Sequence, residues 1–316
     1  MAPHESFGKL AKAYEMWNKE FGATCAIVGE KGAGKTTFID LALEDLDSKE
    51  SRKKISLDET IWTEQQLLKI FASQAGVKAE STQQLIEKLN KGKARKIMVL
   101  ENLQNGYLRN INGYEALINL LLIISETKKS VFWVISCSTY AWNLLDKVES
   151  VGEYFSHVVT TDRLDKQQIQ TVILKRHKVS GFELKYEADE FTKKSRTFRK
   201  IIDDETSSQK YLEDRYFEKL AELAKGNASI ALIFWIRSIR EFDETHFYIH
   251  PLEVASVEVI DDLKPDVLFT LAALVLHDTL TPGELSKAVN MDERQSRLIL
   301  ARLEAKGLLT AVRNPF

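Results

Sequence analysis

Ala23 to Leu46 reads ATCAIVGEKGAGKTTFIDLALEDL, and the fold turns on how this stretch is read. Ala23–Gly29 is an apolar run closed by glycine, with no polar alternation. Such a run fits a strand covered on both faces of a parallel sheet. Thr36–Leu46 follows as a helix, with Phe38, Ile39, Leu41, Ala42 and Leu46 on its apolar side. Between the two, Gly29-x-x-x-x-Gly34-Lys35-Thr36 fills every fixed position of a phosphate-binding loop. Gly29, Gly32 and Gly34 allow the backbone to turn its N–H groups inward around an anion. The helix that follows points its positive end at the same place.

The pattern assigns Gly29, Glu30, Lys31, Gly32, Ala33, Gly34, Lys35, Thr36 and Thr37 to the binding of ATP. Lys35 is expected at the β- and γ-phosphates, and the Thr36 hydroxyl at Mg²⁺. A second motif, KIMVLEN (Lys96–Asn102), is an apolar strand that ends in an acid. Glu101 takes the metal-side position, so Thr36 and Glu101 form the expected metal pair. Asn102 takes the position where a water-activating glutamate would stand. A carboxamide orients water but accepts no proton, so slow hydrolysis is expected. Ser136 or Ser138, closing SVFWVISCS, is placed to contact the γ-phosphate or the attacking water. The expected catalytic set is Glu101, Asn102 and Ser136.

Outward from the loop, strands alternate with helices up to about residue 164. Strands are expected at Lys53–Asp58, Lys96–Asn102, Ser130–Ser138 and Ser156–Thr161. Helices are expected at Thr63–Ala75, Thr82–Leu89 and Tyr114–Glu126. This order implies a parallel α/β sheet with helices on both faces. From Asp165 the pattern becomes helical, broken at Lys225-Gly226-Asn227, and the basic run Lys193–Lys200 reads as a solvated loop. Beyond residue 257, helices at Asp266–Leu276, Thr281–Val289 and from Asp292 to Ala305 precede a strand expected from Gly307. That order suits a winged helix.

The 316 residues carry 44% apolar and 28% charged side chains and a formal charge of -2. This balance excludes a chain that coats nucleic acid through bulk charge. Cys25 and Cys137 are the only cysteines, too few for a disulfide framework, which fits an intracellular, cytoplasmic protein. No apolar stretch reaches bilayer length. The opening MAPHES and the abrupt close at NPF suggest a piece cut from a longer protein. His246 and His250 have helical metal-ligand spacing, but the sequence around them alternates like a strand.

GEKGAGKTT, KIMVLEN and SVFWVISCS, on successive strands, together resemble the core of an AAA+ ATPase. The segment 165–257 resembles its helical lid, and 258–316 a C-terminal winged helix as in the origin-recognition and STAND branches. The resemblance implies a core at 1–164, a sheet order of 5-1-4-3-2, ATP held between core and lid, and self-association. It also makes neighbours of the strands bearing Cys25 and Cys137. Two features depart from it. VESVGEYFSHVV (Val148–Val159) contains no arginine ahead of the fifth strand. In KGNASIAL (Lys225–Leu232) the helix after Lys225-Gly226-Asn227 begins Ala228-Ser229-Ile230 and has its first arginine at Arg237. Arg109 and Arg163 are the alternative sources of charge for a neighbouring subunit.

The expected function is therefore an ATP-binding switch whose lid and winged helix report nucleotide state to a partner. The alternative is an oligomeric DNA-binding or remodelling ATPase activated by a partner subunit. Arg294, Gln295, Arg297 and Arg302 on the last helix are types that reach bases or phosphates. Yet the unit from Val259 has seven basic and eight acidic residues, which favours docking to protein over DNA.

Overall fold

The computed structural model describes residues 4–46, 51–91, 96–253 and 263–312. The termini at 1–3 and 313–316 and the proposed boundary at 257/258 lie outside the described residues. Two compact bodies emerge. One contains 1–30, 35–161 and 258–316, and the other 31–34 and 162–257.

The first body is built on a five-stranded parallel sheet. Its strands are β1 (Thr24–Val28), β2 (Ser51–Ser56), β3 (Lys96–Glu101), β4 (Val131–Cys137) and β5 (His157–Thr160), in the order β2-β3-β4-β1-β5. This is the expected 5-1-4-3-2 order. Residues alternate between two cores because successive side chains leave opposite faces of a strand. Cys25, Ile27, Ile97, Val99, Phe132 and Val134 face one side. Ala26, Val28, Met98, Leu100, Trp133 and Ile135 face the other. Both faces are covered, so the central strands carry no polar alternation.

On the first face lie α1 (His4–Asn18) and α2 (Lys35–Asp45). The sequence reading placed no helix at 4–18, yet Leu10, Ala13, Tyr14 and Trp17 from it are buried against the sheet. Trp17 and Tyr14 meet Phe132 with ring centroids 5.6 Å away in each case. On the second face lie α3 (Glu64–Ile70), α4 (Thr82–Asn90), α5 (Glu115–Thr127) and α6 (Thr139–Glu149). The single helix expected at Thr63–Ala75 is α-helical only to Ile70 and continues as one π turn, Phe71–Ala75, ended by left-handed Gly76.

The second body contains α7 (Lys166–His177), α8 (Glu190–Lys194), α9 (Arg196–Ile201), α10 (Glu205–Ala224) and α11 (Ala228–Ser238). Its core joins Ile169, Tyr216, Phe217, Leu220 and Trp235. Helix alone does not account for this region. β6 (Glu183–Tyr186), β7 (Ile239–Phe242) and β8 (His246–Ile249) form a sheet in the order β6-β8-β7. The β7–β8 reversal is fixed by Asp243, whose Oδ1 accepts from the N–H groups of Thr245 and His246 at 2.7 and 2.8 Å. The basic run 193–200 is not a loop. Asp189 caps α8, and Phe198 buries the face of α9.

In the C-terminal segment, α12 (Pro265–His277), α13 (Pro282–Val289) and α14 (Glu293–Ala305) pack as three helices. The strand expected from Gly307 is absent among the described residues. Gly307 ends α14 in the left-handed region, and no described segment pairs with 308–312, so no ladder can form. No described helix is long and apolar enough to cross a membrane.

Trp17 is fully buried and comes from an element outside the strand–loop–helix core. Trp17→Ala is expected to lower unfolding free energy by about 3–5 kcal/mol, measured by urea denaturation.

Candidate functional site

β1 runs into the phosphate loop and α2 leaves it. Gly29 has a steric reason to be glycine. A Cβ there would stand 2.0 Å from Thr161 Oγ1. The approach is close because Thr161 N–H donates to the Val28 carbonyl at 2.8 Å and Gly29 N–H to the Cys137 carbonyl at 3.2 Å. Gly32 and Gly34 adopt φ of 78° and 86°, the left-handed region where a Cβ is costly. Lys35 Nζ donates to the carbonyls of Gly29 at 2.9 Å and Glu30 at 3.0 Å. The first turn of α2 carries no acid that would offset the positive field of its N–H groups.

Lys31–Gly34 group with the second body. There Asn227 Nδ2 donates to the Lys31 carbonyl at 2.8 Å, and Ser229 Oγ to the Gly32 carbonyl at 3.0 Å. The Asn227 Oδ1 also accepts from the N–H groups of Ser229 and Ile230, capping α11. Gly226 permits the turn, since a Cβ would come within 2.6 Å of Arg163 Cβ. The roles of Asn227 and Ser229 went unassigned in the sequence reading. Their one local signal is an Asn at a helix start.

Glu101 closes β3 with 7% of its surface exposed. Its Oε2 lies 3.1 Å from Lys54 Nζ, while its Oε1 is buried without a partner. Asn102 is left-handed, with φ 64° and ψ 48°, a conformation asparagine adopts more readily than most residues. Its N–H donates to Ser136 Oγ at 3.1 Å. Ser136 is therefore tied to the strand end that bears the acid. Ser138 has a different task, as its Oγ caps α6 through Ala141 N–H at 3.4 Å.

Gln104 connects these groups to the C-terminal segment and is only 2% exposed. Its Oε1 accepts from Ser138 N–H at 3.1 Å. Its Nε2 donates to Asp278 Oδ2 at 2.8 Å and, more weakly, to Asn102 Oδ1 at 3.4 Å. The preceding His277 is fully buried, 4.6 Å from the Tyr107 ring centroid, with both ring nitrogens unpartnered. Burial, with a smaller contribution from Arg109, pushes its pKa down to about 4. Nothing in the sequence pattern singled out Gln104, Lys54 or Asp278, because each acts through a partner distant in sequence.

The remaining candidates fall out simply. Cys25 and Cys137 lie on neighbouring strands but in different cores, and burial pushes both thiols up to about 12. Arg109 and Arg163 are exposed, as are Arg294, Gln295, Arg297 and Arg302. His246 and His250 face Glu183 and Glu187 at 3.5 and 3.1 Å. Among the described residues no group of three or more His, Cys, Asp or Glu side chains is arranged to hold a metal.

No protein-family model matches the chain, and no curated protein matches it. Solved structures do. The ADPNP-ADP complexes of the Aeropyrum pernix ORC2 protein match with a TM-score of 0.50 at 13% identity, over 96% of this chain and 86% of that one. The ADP form of the same protein matches with a TM-score of 0.50 at 12% identity, over 98% and 88%. The fold is the AAA+ fold. At this identity the likeness concerns the path of the chain and leaves the chemistry to the residues above.

Gly29→Ala is expected to cost about 1–3 kcal/mol, since Thr161 is held by its own backbone bond; thermal unfolding reads it. A second expectation concerns acid. Unfolded His277 takes up a proton near its ordinary 6.5, but folded His277 only near 4. Stability must therefore fall as pH drops through that window, by on the order of 1–3 kcal/mol. His277→Leu should flatten this segment of the stability–pH curve.

Proposed function

We propose that this chain is an ATP-binding switch that holds nucleotide and hydrolyses it slowly. The reading rests on one arrangement: a complete phosphate loop paired with Asn102 where a water-activating carboxylate would stand. The shared fold with the ORC2 protein, known in complexes with ADPNP and ADP, supports nucleotide as the ligand.

In this reading the loop amides of Gly29–Gly34 and the start of α2 receive the phosphates, with Glu30, Lys31, Ala33 and Thr37 lining the loop. Lys35 exchanges the Gly29 and Glu30 carbonyls for phosphate oxygens. Thr36 and Glu101 would hold Mg²⁺, whose charge would offset that of the phosphates. The buried, unpartnered Oε1 of Glu101 suits that task. Asn102 and Ser136 orient water without removing its proton, which keeps turnover low.

The domain assignment is a core at 1–164, a lid at 165–257 and a winged helix at 258–316. Gln104, bonded to both Ser138 N–H and Asp278, supports a C-terminal unit that responds to the state of the site. The partner is a protein or a second copy, in the cytoplasm. The exposed Arg294, Gln295 and Arg302 favour a second reading, a DNA-binding or remodelling ATPase completed by a partner subunit.

Fluorescent-ATP binding alongside single-turnover hydrolysis tests the proposal. Lys35→Ala should weaken binding at least about tenfold, because one charge-assisted contact is worth roughly 1.5–3 kcal/mol. Asn102→Asp supplies a carboxylate that tolerates the left-handed backbone, and should raise turnover about tenfold or more. Brisk turnover in the unmodified chain, or stimulation by DNA, would replace the switch with the second reading.

A further inference from the structure

The acid at the end of β3 already has a cation. Lys54 comes from β2, where it shares a face with Ser56, the register partner of Glu101. Its Nζ lies 3.1 Å from Glu101 Oε2 and 3.8 Å from Asp40 Oδ2. Asp40 is four residues beyond Thr36 on α2, so the two share one face of that helix. Lys54 therefore reaches from the edge strand to both carboxylates, on the side of α2 that carries the Thr36 hydroxyl. Three separate elements converge there, and the ammonium sits between the acids.

We propose that Lys54 determines the metal dependence of this site: it acts as a built-in counter-cation that competes with Mg²⁺ for Glu101. The proposal rests on the nucleotide-binding reading above. A divalent ion drawn to Glu101 must either displace the ammonium or share the carboxylate with it. At ion-pair separations, the repulsion between a divalent ion and an ammonium amounts to at least about a tenfold effect even in strongly screened surroundings. The consequence is a protein that captures nucleotide almost as well without Mg²⁺ as with it. The side-chain cations Lys35 and Lys54 take part of the role that the metal fills elsewhere. Lys54 has a side chain 44% exposed, so it can swing into solvent, and replacing it removes a charge without opening a core.

The test is titration of the intact chain with a fluorescent ATP analogue, in EDTA and across a Mg²⁺ series, with thermal unfolding recorded for every variant. The unmodified chain should change affinity by less than about threefold between EDTA and saturating Mg²⁺. Lys54→Met should bind in EDTA more weakly than in Mg²⁺ by about tenfold, and should need less Mg²⁺ to reach half effect. Lys54→Arg, which keeps the charge, should behave like the unmodified chain. In a Glu101→Gln background, Lys54→Met should no longer shift the Mg²⁺ midpoint, because the shared carboxylate is gone. Binding by Lys54→Met with the Mg²⁺ dependence of the unmodified chain would overturn the proposal and leave the nucleotide-binding reading standing. Equal loss of binding with and without Mg²⁺ in a folded Lys54→Met would also overturn it, making Lys54 a phosphate ligand. Failure of the unmodified chain to bind the analogue under any condition would overturn both.

Discussion

Everything at the site depends on the absence of one carbon atom. Gly29 passes so close to Thr161 that a Cβ would overlap its hydroxyl, and both backbones are pinned to the same sheet. Gly29 N–H is bonded to β4, and Thr161 N–H to the end of β1. The three strands β4, β1 and β5 thus meet at the point where the chain leaves the sheet for the loop. That closeness fixes where α2 starts and where its first N–H groups point. A phosphate loop is often described by its flexible glycines, yet here the first glycine acts as a constraint. Its lack of a side chain allows a rigid junction.

A second constraint lies at the same carboxyl end of the sheet. Gln104 has one acceptor and two donor hydrogens, and the structure engages both ends of its carboxamide. It holds the backbone after β4, the side chain of Asn102 and the carboxylate of Asp278. Asp278 itself is in a positive-φ conformation, and His277 beside it is buried with both ring nitrogens unpartnered. Such features cost free energy and persist only where surrounding packing over-determines them. Here the packing is the ring of Tyr107 against His277. The C-terminal helices are thus attached to the sheet body through residues that follow the acid-bearing strand, within a few positions of Asn102. A change in the conformation of residues 102–105 has no route that leaves Gln104 undisturbed.

The left-handed backbone at Asn102 gives that position a structural role of its own. Asparagine at the end of β3 lets the chain turn sharply into the segment that carries Gln104, Asn105 and Tyr107 into the interior. One residue thus shapes the connection to the C-terminal helices.

Much of this was legible in the sequence, and for identifiable reasons. The strand–loop–helix at Ala23–Leu46, the sheet order and most helix positions follow from local signals. Apolar runs report burial on both faces, and glycine spacing reports the loop. Cap residues such as Asp165 and Asp292 report helix starts. The elements misread were those whose identity depends on distant neighbours. Helix α1 is defined by packing of Trp17 on Phe132. In the small sheet, β6 pairs with β8 more than fifty residues further along the chain, and the expected strand after Gly307 found no described partner. By itself the sequence determined the phosphate loop and the Glu101-Asn102 pair at the end of β3, because each is a property of consecutive residues. Only the tertiary structure decided that Lys54 meets Glu101, that Gln104 binds Asp278 and that Gly29 abuts Thr161. Side chains brought together by the fold leave no periodic trace in the order of the chain.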